Sequence, residues 1–315
     1  MSNIQLTPLK SGKASLYCGL AAALMLVSIP AAQAGDGRLL ATGGVTQIEG
    51  SAGGGIVPWA LISGYGTEDE VGGTAFLTNV RVPNYDLVSA GAAIGLYDRV
   101  ELSYARQRLN LDSTVLSGLG AGATTISQDV FGIKVKVLGD AIYAQNSLIP
   151  QISVGMQYKR NLDFDFVPKT VGAKHDSGTD FYVAATKVFL GGLAGRNVLL
   201  NGTVRMTKAN QMGLLGFGGS TNDSYKAVFE GSAGVFLDSA NTWLIGAEYR
   251  GNPDNGLAGG ALKQDAYKDA YVAYIPNKRF ALVAAYADLG NLPDTTVASL
   301  NSKKHGVYLS GQFSF

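Results

Sequence analysis

The chain has 315 residues, 42 of them glycine, and its 25 Lys and Arg nearly cancel its 24 Asp and Glu. That balance excludes a basic polyanion binder and an acidic solvating tail, and no basic patch interleaved with aromatics points to nucleic acid. Cys18 is the only cysteine, which excludes a small fold stapled by disulfides.

Residues 1–34 stand apart. Lys10 and Lys13 are their only charges, an apolar run follows from Leu16 to Ile29, and Ala32-Gln33-Ala34 precedes Gly35. A basic flank, a short apolar core and small residues two apart make a cleaved secretory signal. The run is also shorter than the ~20 residues of a spanning helix. Cys18 opens the apolar core instead of closing it, which argues against lipidation. Cleavage after Ala34 removes two of the 25 basic residues, leaving 23 against 24 acidic ones and no cysteine. The mature chain, residues 35–315, reads as one domain without a transmembrane helix.

Period two dominates that mature chain. Strands are expected near 39–49, 55–66, 72–82, 86–97, 100–109, 126–138, 148–159, 179–190, 197–208, 223–237, 241–250, 266–275, 279–289 and 304–315. In one of them Phe131, Ile133, Val135 and Val137 alternate with Val130, Gly132, Lys134 and Lys136. Such alternation gives a strand one apolar and one mainly polar face. From Tyr97-Asp98-Arg99 onward, short turns alternate with long polar loops such as 110–125, 160–178, 209–222, 251–265 and 290–303. A β-sandwich has no reason to sort its connections by parity; a transmembrane barrel with short periplasmic turns and long outer loops does. The expectation is therefore an all-β, antiparallel transmembrane β-barrel of about 14 strands. Gly43-Gly44, Gly53-Gly54-Gly55 and Pro58 weaken the first two. The alternative is 12 strands with residues 39–66 as an N-terminal plug.

The last strand ends in Phe313 and Phe315. A terminal Phe closing an alternating strand resembles the C-terminal signal read by the barrel assembly machinery. The segments GDGRLLATGGVTQIEGSAGGGIVPWALISGYGTEDE and GAAIGLYDRVELSYARQ are similar to the proteobacterial outer-membrane family catalogued as domain of unknown function 3034. The resemblance is densest between Gly35 and Leu111. It implies a barrel in the outer membrane of a Gram-negative bacterium, and no activity.

With apolar side chains facing lipid, the lumen receives Glu101, Lys134, Lys136, Gln151, Gln157, Lys159, Arg205, Glu230, Glu248 and Arg250. Either these charges pair and plug the lumen, or they line a water-filled channel in which the basic surplus favours anions. Segments 181–190, 270–275 and 280–289 are apolar on both faces, which suits a hydrophobic cargo or the seat of a plug. His175 and His305 are the only histidines, and neither sits in a pattern that makes a catalytic triad. Asp163, Asp165 and Asp176 lack calcium-loop spacing, so no metal and no cofactor is expected. The function expected is a passive channel or transporter for small solutes or hydrophobic compounds, not an enzyme. Its partners would be outer-membrane lipid, the assembly machinery and a small-molecule cargo. The alternative is a non-conducting structural or adhesion barrel acting through its outer loops; a lipid-modifying enzyme is the weakest reading.

Overall fold

A computed structural model describes residues 38–113, 117, 124–296 and 301–315. The signal expected at residues 1–34 lies outside the described residues. Alternation becomes strand geometry as the sequence directs. On the strand Thr124–Leu138, Phe131 and Ile133 are exposed while Val130 and Lys134 are buried, as a pleat with lipid on one side and a lumen on the other requires.

Among the described residues the strands are β1 (Val45–Thr46), β2 (Ala52–Gly53), β3 (Val71–Val82), β4 (Tyr85–Leu96), β5 (Val100–Leu111), β6 (Thr124–Leu138) and β7 (Gln151–Asn161). They continue with β8 (Ser177–Leu193), β9 (Arg196–Thr207), β10 (Lys226–Phe236), β11 (Trp243–Arg250), β12 (Tyr267–Tyr274), β13 (Phe280–Pro293) and β14 (Asn301–Ser314). Strands β3 to β14 each pair antiparallel with the next, and β14 pairs with β3 to close the barrel. Closure leaves no ladder edge exposed to hydrocarbon.

The barrel has twelve strands, not fourteen. Of residues 39–66, β1 and β2 pair as a hairpin two residues deep, and Gly53 makes one further bridge to Pro58. Every residue from Val45 to Gly66 is buried, so this segment has no face to offer lipid. A Cβ at Gly53 would lie 2.2 Å from the Val57 carbonyl oxygen, and one at Gly54 would lie 1.8 Å from the Glu248 carboxylate. These glycines permit tight folding against a wall, which a lipid-facing strand does not need. The segment is a plug inside the barrel.

The plug begins and ends at the short-turn end. Arg38 pairs with Asp98 of the β4–β5 turn at 3.1 Å, and the Tyr65 and Gly73 amides both donate to the Phe315 carbonyl at 3.1 and 3.0 Å. That β4–β5 turn carries positive φ at Tyr97 and Asp98 (56° and 46°), the tight turn that matches strand twist. Parity holds with one exception. The β3–β4 connection, Pro83-Asn84, is short although it lies at the long-loop end. Strand β7 begins at Gln151, not 148, because Pro150 has no N–H to donate.

A Gly53→Ala substitution sets a Cβ against backbone that cannot move aside. We expect the barrel to form and still migrate differently unheated and boiled on a denaturing gel, while protease gains access to residues 38–66. Unchanged protease resistance would show that the hairpin tolerates a side chain there.

The plugged lumen as candidate functional site

Three polar clusters join wall and plug. The first is ionic. Glu49, at the plug's inner reach, faces Lys159, Arg250 and Arg205. Its carboxylate accepts from Arg250 at 2.8 Å and from Lys159. Lys159 also pairs with Asp180 at 2.7 Å. Arg205 pairs with Asp180 at 3.3 Å and with Glu230, and its guanidinium donates to Gln157 at 2.7 Å. Three cations thus meet three carboxylates, all fully buried, and one of the carboxylates belongs to the plug. Without Glu49 the wall would hold an uncompensated charge in a dry interior, which is costly.

The second cluster grips the plug backbone. Lys134 donates to the Ala52 and Leu61 carbonyls at 3.0 and 2.7 Å and pairs with Glu101 at 3.1 Å. Glu101 in turn accepts from the Ser51 hydroxyl at 2.8 Å and the Ser63 amide at 2.9 Å. The third lies across the lumen. Glu248 accepts from the Ile56 amide at 2.8 Å and the Ser232 hydroxyl at 2.6 Å, and Ser232 accepts from the Trp59 indole at 2.9 Å. Apolar wall residues complete the seat: Val57, Trp59 and Leu61 share one core with Ala273, Ile275, Ala281, Val283 and Ala285. The apolar inner faces of β12 and β13 therefore pack the plug.

The long-loop end is closed separately. Residues 209–217 dip into the mouth and are buried throughout. Gln128 donates to the Met212 carbonyl at 3.2 Å, Asn161 to the Leu214 carbonyl at 2.8 Å, and Gln211 to the Asn291 carbonyl at 3.0 Å. Gln211 and Met212 both hold positive φ (46° and 60°), a strained state for side-chain-bearing residues. Below this loop lies an apolar cavity of about 40 Å³, lined by Tyr85, Leu109 and Leu111 of the wall and Met212, Leu214 and Leu215 of the loop.

The structure brings Gln157, Lys159, Arg205, Glu230 and Arg250 into the first cluster, Glu101 and Lys134 into the second, and Glu248 into the third. Gln151 donates to the Ala60 carbonyl at 2.6 Å. Lys136 stands apart, at the short-turn rim, paired with Asp98 at 2.6 Å. Sequence reasoning missed Glu49, Asp180 and Ser232. Asp180 was legible, since outward Phe181 and Val183 place Asp180 and Tyr182 inward. Glu49 was legible as the only acid between Arg38 and Glu68. The basic surplus in the expected lumen set is met by Glu49, Asp180 and Asp98, so the filled lumen presents no excess of cations to an anion.

Phe313 is exposed on the outer wall, and its ring meets Phe280 at 5.3 Å. Phe315 seals the β14–β3 seam through Gly73. His175 faces both oxygens of Asp223 at 3.0 Å at the long-loop end, and this hydrogen bond, with Lys208 nearby, holds the Asp223 carboxyl below its ordinary value. His305 lies 3.6 Å from Asp288 and stacks on Tyr286. Among the described residues no hydroxyl nucleophile is hydrogen-bonded to either imidazole.

A closed antiparallel ladder, an apolar outer wall and a polar, filled interior define an outer-membrane-type β-barrel. The chain belongs to the family described as protein of unknown function (DUF3034), whose match spans residues 42–312 and so takes in plug and barrel together. No curated protein matches the sequence. Among solved structures, the outer membrane phospholipase of Salmonella typhi is similar at 10% identity, over 80% of this chain and 91% of that one, with a TM-score of 0.36. Omp33 of Acinetobacter baumannii is similar at 10% identity, over 78% and 96%, with a TM-score of 0.32. OmpF of Salmonella typhi is similar at 9% identity, over 78% and 97%, with a TM-score of 0.34. At these scores the likenesses carry no argument about activity.

Replacing Glu49 by Gln leaves three buried cations facing two carboxylates. Removing one partner of a buried ion pair costs roughly 3 kcal/mol. We expect Glu49→Gln to lower the temperature at which the folded band converts to the unfolded one, and to open residues 38–66 to protease. An unshifted conversion temperature would mean that the ionic cluster does not clamp the plug.

Proposed function

We propose that this protein is a gated transporter for small hydrophobic compounds in the outer membrane, held closed by its plug and its 209–217 loop. The observation that carries this reading is the apolar cavity under a strained loop at the long-loop end, next to a buried ionic cluster. A purely structural barrel gains nothing from leaving apolar space unfilled there, since voids in packed interiors are costly. At about 40 Å³ the cavity takes only a small apolar group as it stands. A longer ligand enters by displacing Met212, Leu214 and Leu215, and the thioether side chain of Met212 adapts easily to a new neighbour.

In this reading the chain is exported by a signal at residues 1–34 that is then removed. The assembly machinery inserts the barrel by way of the strand ending in Phe313 and Phe315. The long loops face outward, the short turns face the periplasm, and the barrel performs no chemistry on its cargo. Glu101, Lys134, Lys136, Gln157, Lys159, Arg205, Glu230, Glu248 and Arg250 then serve as the lumen lining against which the plug is held. A specific observation favours the second reading, a non-conducting structural barrel: the lumen is obstructed from both ends.

The test is a planar bilayer recording with a binding titration beside it. The mature protein should be silent, and deletion of residues 38–66 together with residues 211–216 of the second obstruction should produce steady ohmic steps. A fluorescent fatty acid should bind the intact protein, and Leu214→Asp should weaken that binding. A deleted barrel that stays silent, with no apolar probe bound by the intact one, would overturn the transporter in favour of the structural barrel.

A further inference from the structure

Glu248 and Asp269 stand directly opposite each other on β11 and β12, both on the inner face. Like charges at directly opposed positions repel, and here neither carboxylate has an ion-pair partner among the described residues. Arg250, the nearest cation along β11, is committed to Glu49, Glu230 and the Ile56 carbonyl. The two carboxylates are not equally served. Glu248 accepts from the plug and from Ser232. Asp269 is 7% exposed, and neither of its oxygens has a hydrogen-bond partner.

A second observation points the same way. Tyr271, two residues along β12 on the same face, is 6% exposed, and its hydroxyl also lacks a partner. That hydroxyl crosses over Gly246, where an added Cβ would lie 2.6 Å from it. Gly246 is two residues from Glu248 on β11, so the hydroxyl lies on the same inner face, one pleat along from Glu248. The plug caps the group through Gly55. A Cβ there would lie 3.4 Å from a Glu248 oxygen and 3.6 Å from an Asp269 oxygen. The site thus holds two formal negative charges, the two buried phenols of Tyr271 and Tyr308 without hydrogen-bond partners, and a glycine lid against which Glu248, Asp269 and the Tyr308 ring all come. Buried polar atoms are nearly always satisfied, and a cluster of hard oxygen donors with surplus negative charge is satisfied best by a hard cation.

We propose that Glu248, Asp269 and the Tyr271 hydroxyl bind one divalent cation of the calcium or magnesium class inside the barrel, against the plug at Gly55. Among the described residues no third acidic or histidine side chain joins them, so water completes the shell. The cation neutralises the opposed carboxylates and fixes the wall at the point where Glu248 holds the Ile56 amide. This site is independent of the transport reading: a structural barrel would use it equally well.

The experiment uses the full mature protein, refolded in detergent after chelation, in the presence and absence of Ca²⁺, Mg²⁺ or Tb³⁺. Refolding with the ion present ensures that the closed lumen does not bar access. Terbium excited through tyrosine should luminesce with saturation at one ion per chain, be competed by Ca²⁺, and Ca²⁺ should raise the temperature of band conversion. Asp269→Asn should abolish both signals and, in metal-free buffer, should leave the barrel at least as heat-resistant as the unaltered protein, because it removes an unpaired charge. Tyr271→Phe should weaken the affinity about tenfold, the size of effect typical for a group supporting a metal site. No luminescence and no calcium shift in the unaltered protein would overturn the site in favour of a proton shared between the two carboxylates. Signals that survive Asp269→Asn would overturn it in favour of ion binding elsewhere, such as the outer loops.

Discussion

A ring of about eight strands is narrow enough for its own side chains to fill, and a ring of twelve is wider. The interior must hold either water or more chain. Here it holds chain, and the wall is built accordingly. Tight turns and the short hairpin satisfy part of the plug backbone from within, as where the Ile48 amide donates to Gly55 and the Trp59 amide to Ala52, but several of its carbonyls have no such partner. Wall side chains take that role. Ser89 and Gln107 donate to the Ile48 carbonyl, Gln151 and Ser153 to the Ala60 carbonyl, and Thr203 to the Pro58 carbonyl. The polar inner faces are thus a substitute for a missing sheet, which satisfies buried backbone groups that would otherwise be orphaned.

The same constraint ties plug, charge and closure together. The charges of the Lys159, Arg205 and Arg250 cluster balance only when Glu49 is present, so the barrel and its plug form one electrostatic unit there. The seam where the last strand meets the first lies where the plug leaves the lumen, and the Phe315 carbonyl accepts from both the Tyr65 and Gly73 amides. One carbonyl therefore anchors the closing strand and the plug's exit. Folding the plug in and closing the ring are coupled at that point, so a barrel that closed before seating the plug would lack half of this anchor.

Strand positions were legible because lipid and lumen impose opposite chemistry at every second residue. Phe131 and Lys134 show it within four positions. The even strand number was legible too, but it admits 12 as readily as 14. What separates the two is the glycine density at 43–44 and 53–55, whose meaning becomes plain only once Glu248 is seen against Gly54. Lumenal residues on regular strands followed from alternation. Lys136 did not, because facing inward does not say how deep a residue sits. Glu49 and Asp269 were missed for different reasons. Glu49 acts from a segment with no period to read, where only its standing as the one acid between Arg38 and Glu68 marks it, and Asp269 immediately precedes the stretch 270–275 that is apolar on both faces.

The two obstructions differ in strength, and the difference sets an order. The 209–217 loop packs Met212, Leu214 and Leu215 against the apolar wall, but its polar ties are hydrogen bonds between neutral groups, from Gln128, Asn161 and Gln211, each worth about 1 kcal/mol net and replaceable by water. Its strained backbone at Gln211 and Met212 gives back part of that cost when it relaxes. The plug is tied by buried ion pairs whose rupture strands charge on both sides, and by Trp59 and Leu61 packed in the central core. Loop movement therefore requires less free energy than plug movement. For the ligand of the proposed transporter, this order means that the apolar chamber at the long-loop end is occupied while the ionic cluster stays shut. Under the proposed transport reading the barrel admits before it releases, with the ionic cluster around Glu49 as the barrier between the two events.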